Sequence, residues 1–280
     1  MNAAVKGTWE DAVCWLRKQP EQQQLVLDAF YDDPLIGAAE RYFHSSEWQE
    51  ISRLLSGRSG RALDVGAGRG IASYALARDG FEVTALEPDP SAIVGADAIR
   101  SLAAESRLGI EVVEQFSEQL PFTEATFDVV FARAVLHHTR DLENACSEMY
   151  RVLKPDGLLI AAREHVITKD ADLPRFLALH PLHRLYGGEH AFRLDRYLAA
   201  LRQAKFRSIE VLLPLKNPIN LYPYTIDRIR EEVIKKCSRK LPIASLLRAV
   251  TPRMLIEATL SVASCFDNRP GRLYTFVAYK

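Results

Sequence analysis

Apolar and polar positions change their rhythm three times along the chain. Up to about Gly60 they recur at helical spacing, as in Val13–Leu16 and Leu25–Phe30, with Pro20 and Pro34 as punctuation. From residue 61 to about 163, short apolar runs alternate with amphipathic ones. The runs at 61–65, 81–86, 110–113, 127–131 and 158–162 predict strands, and the segments 70–79, 91–104 and 141–153 predict helices. Strand and helix alternating at this pitch predict right-handed βαβ units in a parallel, doubly wound sheet. A connection over 164–188, rich in His and Pro, leads to a predicted helix at 193–204 and a strand at 208–213. A stretch of mixed helical character follows, and 272–278 closes the chain with strand-like alternation. The expectation is an α/β protein with a mostly parallel, seven-stranded sheet and helices on both faces. It divides into an N-terminal helical extension (1–60), a core (61–213 and 272–280) and a helical insertion (214–271).

Composition narrows the class. With 48% hydrophobic and 26% charged residues in 280, the chain can bury a substantial core, and disorder is not expected. A formal net charge of zero argues against a dedicated nucleic-acid binder. The charge is uneven, however: residues 216–280 carry 12 Lys/Arg against 5 Asp/Glu. Cys14, Cys146, Cys237 and Cys265 form no C-x-x-C pair, so reduced thiols are expected. There is no apolar run for a signal peptide and no stretch of ~18 uncharged apolar residues to span a bilayer. These features lead to the expectation of a cytoplasmic protein.

The chemistry starts at Leu63-Asp64-Val65-Gly66-Ala67-Gly68-Arg69-Gly70, where a strand ends in a glycine loop and a helix follows. Glycines let the backbone turn sharply and approach a ligand, and the helix start offers unpaired amides. The loop reads G-x-G-x-G, whereas the pyrophosphate-binding fingerprint reads G-x-G-x-x-G. Asp64 stands where a carboxylate can meet an ammonium group. Glu87, at the end of the second strand, stands where one can accept both hydroxyls of a ribose.

Residues 61–162 resemble the core of the class I S-adenosylmethionine-dependent methyltransferases. The matching stretches are Leu63–Gly70, Glu87-Pro88-Asp89, Leu120-Pro121-Phe122, Phe127–Val130, Leu136-His137-His138 and Arg151–Gly157, all in the family's order. The resemblance implies S-adenosylmethionine as cofactor and a small-molecule acceptor. It places Gly66, Ala67, Gly68 and Gly70 on the cofactor's methionine side and Glu87 and Pro88 at its ribose, with Asp64 and Arg133 also among the binding residues. Phe116 and Ser117 would border the adenine. Phe116 replaces the acid often found at its position, so stacking and the Ser117 amide are expected to do that work.

Methyl transfer to a hydroxyl needs orientation and a base. His138 and His137 follow the fourth strand, and Glu164 and His165 leave the fifth at the end where such sheets bind ligands. The segment His180-Pro181-Leu182-His183-Arg184-Leu185-Tyr186-Gly187-Gly188-Glu189-His190 lacks a tight metal-ligand order, so no metal site is expected from it. A looser similarity of 32–35, 41–43 and 180–188 to methyltransferases of bacterial glycan clusters leans toward a sugar or related hydroxyl acceptor. Arg228, Arg230, Lys235, Lys236, Arg239, Lys240, Arg248 and Arg253 make the insertion basic. They fit a solvated helical face, a site for an acidic acceptor, or peripheral membrane contact. The competing functions are a nucleotide-dependent oxidoreductase, a non-catalytic cofactor-binding scaffold and an RNA methyltransferase. None of these motifs encodes the oligomeric state.

Overall fold

A computed structural model describes residues 7–179, 182, 185–187, 189–238 and 252–280. Its strands are β1 (Arg61–Val65), β2 (Glu82–Leu86), β3 (Ile110–Val113), β4 (Phe127–Arg133), β5 (Leu153–Ile167), β6 (Phe192–Arg193), β7 (Ser208–Leu212) and β8 (Arg272–Tyr279). They form one sheet in the order β3-β2-β1-β4-β5-β8-β7, and the two-residue β6 pairs with β5 beside that path. The seven strands along the path are those expected. The β3–β5 half is parallel, and β8 runs antiparallel to both β5 and β7.

The helices are α1 (Trp9–Arg17), α2 (Gln23–Asp28), α3 (Leu35–Phe43), α4 (Ser46–Leu54), α5 (Ile71–Arg78), α6 (Ala96–Ser106), α7 (Leu142–Val152) and α8 (Leu173–Leu179). They continue with α9 (Leu194–Gln203), α10 (Pro218–Leu221), α11 (Ile226–Ser238) and α12 (Arg253–Phe266). One face of the sheet packs Val129, Phe131 and Ile160 against Tyr42, Trp48 and Ile51 of α3–α4 and Tyr74 and Leu76 of α5. The opposite face packs Val130, Leu159 and Phe276 against Cys146 and Met149 of α7 and Tyr197 and Leu201 of α9. Helices α3 and α4 thus share a hydrophobic core with the sheet, whereas α1 and α2 pack in a separate cluster with Val94 and Leu182. Trp48 is fully buried and its indole N–H donates to Asp79 at the end of α5. A buried aromatic of that size contributes about 3–5 kcal/mol.

Several boundaries differ from the sequence expectation. The fifth strand begins at Leu153 and so takes in the turn expected at 154–157, and the fourth runs on to Arg133. Two further differences have a local reason. The helix expected from residue 91 begins at Ala96, because Ser91 closes a turn instead. Its hydroxyl accepts from the amides of Ile93 and Val94, and its carbonyl from that of Gly95. The fifth strand runs on past residue 162 to Ile167. Its pairing with β8 slips between Ala161 and Glu164, and Arg163 there has φ +60°. Such a bulge re-aims the side chains beyond it. The polar run that suggested a strand end is a continuing strand whose charges are met from neighbouring elements.

Of the described basic residues of the insertion, Arg230 is half-buried and the others lie on its surface. Arg253 pairs with Asp227 and Glu257, Arg228 lies 3.6 Å from Glu232, and Lys235 and Lys236 are exposed. Arg239, Lys240 and Arg248 fall outside the described residues. Among the described residues no helix is long and apolar enough to cross a membrane.

Candidate functional site

The glycine loop leaves β1 at the carboxyl end of the sheet. Gly66, Gly68 and Gly70 all have left-handed backbone, with φ of +62°, +56° and +80°, a conformation glycine adopts without strain. A side chain at Gly66 would collide with Val135, 2.7 Å away, whereas one at Gly68 would meet nothing within 4 Å. Gly66 is therefore fixed by packing against the loop after β4, and Gly68 faces open space. The Gly68 amide donates to Glu87 Oε2 at 2.7 Å, and the Ala67 amide donates to the Leu86 carbonyl. Loop and β2 end thus hold one another.

Glu87 also accepts from the amide of Asp89, and Pro88 beside it is half-buried. Burial pushes the Glu87 carboxyl up to about 6, against the pull of these two amide bonds. Asp64 is almost wholly buried and accepts from the Ser73 hydroxyl of α5 at 2.6 Å. Burial, with the charge of Glu87 adding to it, pushes its carboxyl up to about 7. Ser117 is buried and its hydroxyl faces Glu118, while Phe116 is half-exposed with the Arg140 guanidinium 5.4 Å above its ring.

Arg133, expected among the cofactor residues, is held in a forked ion pair by Glu47 of α4, with contacts of 2.6 and 3.0 Å. Arg163 lies 3.6 Å from the same carboxylate and donates to the carbonyls of Ile219 and Tyr222. Burial pulls against the Glu47 charge, yet the two guanidiniums keep it below its ordinary range. One buried carboxylate therefore ties the N-terminal extension to β4, β5 and α10.

The expected catalytic residues do converge. Glu164 is fully buried, and its carboxylate accepts from the amides of Val135, Leu136 and His137. These donors open the short turn Leu136–His138 that follows β4. The same carboxylate lies 2.6 Å from His137 Nδ1. Burial raises the Glu164 pKa in spite of these bonds. His137 is buried, whereas the side chain of His138 keeps about a third of its surface exposed. His165 Nδ1 lies 2.9 Å from the Gly271 carbonyl.

Three contributors were not visible as such in the sequence. Glu189, from the His-rich connection, lies 3.4 Å from His137 Nε2 and 3.8 Å from His138 Nε2. His180, Pro181, His183, Arg184 and Gly188 of that connection fall outside the described residues. Tyr31 is half-buried as a residue, but burial of its hydroxyl, within reach of the charges of Arg133, Glu189 and Arg69, pushes that group up to about 12. Trp9 sets its ring edge-on to both Tyr31 and Tyr186, at 6.0 and 5.1 Å. Aromatic residues in the extension were visible; which of them turn toward the cleft depends on contacts far apart in sequence.

Comparison with known proteins agrees with this geometry. Residues 63–161 match the model of a methyltransferase domain. The chain is 34% identical over 146 residues to a malonyl-[acyl-carrier protein] O-methyltransferase of Enterobacter lignolyticus, covering 50% of this chain and 53% of that protein. It is 37% identical over 102 residues to a ubiquinone biosynthesis O-methyltransferase of Methylocella silvestris, covering 36% and 39%. The chain thus spans about half or less of the length of these relatives. An S-adenosylmethionine-dependent methyltransferase of Thermotoga maritima shares the fold, with TM-score 0.53 at 16% identity over 98% of this chain and 100% of that one. So does a phosphoethanolamine N-methyltransferase of Haemonchus contortus solved with S-adenosylhomocysteine, with TM-score 0.52 at 19% identity over 90% and 60%. The segment 63–161 thus matches a methyltransferase domain, and its sheet order and glycine loop are similar to those of the class I S-adenosylmethionine-dependent methyltransferases.

Proposed function

We propose that the protein transfers a methyl group from S-adenosylmethionine to an oxygen of a small molecule, a sugar or related hydroxyl compound. The observation that carries this reading is the pairing of two features at one end of the sheet. They are the Gly68–Glu87 cradle and the partly exposed His138 on the turn after β4. The cradle fits the cofactor, because the space beside Gly68 is open and Glu87 offers a largely desolvated carboxylate next to it. Gly66, Ala67 and Gly68 would hold the methionine portion, Glu87 the ribose, and Phe116 with Ser117 the adenine. When bound, the cofactor supplies a methyl group already activated on a sulfonium.

The protein's own contribution is then orientation and proton removal. His138 accepts the acceptor's hydroxyl proton as the oxygen–methyl bond forms and the sulfur–methyl bond breaks. The turn that presents His138 is pinned by Glu164, whose carboxylate gathers three successive amides. Glu164 therefore acts as a positioning residue. Relatives that are O-methyltransferases support oxygen as the methylated atom.

The test is turnover of labelled S-adenosylmethionine across a panel of sugars and phenols, with cofactor affinity measured in parallel by calorimetry. His138→Ala should lower turnover about 100-fold with cofactor affinity unchanged. Cofactor binding without turnover of any acceptor would favour the scaffold reading, and full activity in the variant would remove His138 from the mechanism.

A further inference from the structure

Beyond the cofactor cradle, three side chains from three separate segments bring metal-binding atoms together. His137 follows β4, His165 lies in β5, and Glu189 comes from the connection before β6. The ligand atoms they offer all lie within 4.8 Å of one another. From this geometry we infer that the protein binds one divalent transition-metal ion, of the Zn2+ type, between His137, His165 and Glu189.

The surroundings of both imidazoles point to that use. His137 Nδ1 faces Glu164 Oε2 at 2.6 Å, and His165 Nδ1 faces the Gly271 carbonyl at 2.9 Å. A backbone carbonyl only accepts, so His165 carries its proton on Nδ1 and a lone pair on Nε2. A carboxylate held by three amides imposes the same tautomer on His137. Metal-binding imidazoles are oriented in this manner, with the distal N–H given to a carboxylate or a carbonyl. Two imidazoles and one carboxylate suit Zn2+ and leave a coordination position open.

The spacing is close to what such an ion requires. Bonds of ~2.0–2.1 Å at tetrahedral angles separate ligand atoms by about 3.4 Å, and Glu189 Oε1 already stands 3.4 Å from His137 Nε2. The widest edge, no longer than 4.8 Å, would close by up to about 1.4 Å on binding. No spacing rule along the chain reveals this set, because its members are 28 and 24 residues apart, from 137 to 165 and from 165 to 189. The inference deepens the methyl-transfer reading by placing a cation beside His138. Metal uptake needs neither cofactor nor acceptor, so the two can fail separately.

The experiment uses the full chain without an affinity tag, stripped with a chelator and titrated with Zn2+ by calorimetry and with Co2+ by visible absorption. One ion per chain is expected, with cobalt bands of a four- or five-coordinate site. His165→Ala and Glu189→Gln should each weaken binding about tenfold or more, while His44→Ala, at an exposed site far along the chain, should not. Should His165→Ala fail to fold by circular dichroism, Glu189→Gln decides alone. Folded wild-type protein that takes up no Zn2+ at millimolar concentration, or a Glu189→Gln variant with wild-type affinity, would overturn the inference.

Discussion

On the proposed function, a single stretch of chain between Leu63 and Glu87 builds the donor half of the cleft as strand, loop, helix and strand. The acceptor half is assembled differently: His137, Glu164 and Glu189 come from three segments, and Tyr31 and Glu47 come from the N-terminal extension. In the first half the binding groups are largely backbone amides and one carboxylate, set by local turns. In the second they are side chains whose positions depend on buried charge networks. The difference teaches that the donor half, tied to the rest chiefly through Arg69 and the Gly66–Val135 contact, should tolerate distant damage better than the acceptor half, which should fail together with the fold.

The largest effect should follow from breaking the hub that joins the extension to the sheet. Glu47→Ala leaves Arg133 and Arg163 buried without their shared carboxylate, at a cost of about 3–5 kcal/mol. Urea unfolding should register it, and a loss under ~1 kcal/mol would mean that the acceptor half does not depend on this network.

A smaller effect is expected on the donor side, and of another kind. Glu87→Ala removes a charged acceptor from the ribose site, worth about 2–3 kcal/mol of cofactor affinity. It also releases the Gly68 and Asp89 amides, so some loosening of the loop accompanies it. Calorimetry should show the loss of affinity while catalytic-side His138 retains its environment by NMR. Equal cofactor affinity in the variant would remove Glu87 from the site.

The smallest effect is a pH dependence that sharpens the comparison. The Glu87 carboxyl is raised from 4.5 to about 6, so it becomes protonated in the folded protein before an exposed glutamate would. Cofactor affinity, which uses the carboxylate, should be full above pH 6 and fall about tenfold per unit below it. The sign for stability is opposite. A raised pKa favours the folded state below pH 4.5, and that contribution is lost as pH rises through 6. Glu87→Gln should flatten both curves, and a wild-type affinity unchanged between pH 7 and pH 5 would contradict the assignment.

How much could be read in advance follows the same divide. The seven strands of the path and the loop at 66–70 were legible because each is specified by residues adjacent in sequence. The convergence of His137, His138, Glu164 and His165 was legible from the rule that loops at the carboxyl ends of parallel strands meet. Their partnerships were not. Glu164 faces three amides only because the bulge at Arg163 turns it inward. Arg133 faces Glu47 across 86 residues, and Asp64 turns to Ser73 of the helix behind the loop. Local pattern fixes which face a residue occupies; it does not say which distant charge will answer it.

Arg69 stands inside the glycine loop, yet its buried guanidinium donates to the carbonyls of Phe30 and Asp32 and pairs with Asp33. The loop is thereby latched to the extension by a cation that has few other places to go. Peeling the extension away would break all three of these contacts at once, which favours loop and extension moving as one piece. Traffic into and out of the cleft should therefore avoid this seam.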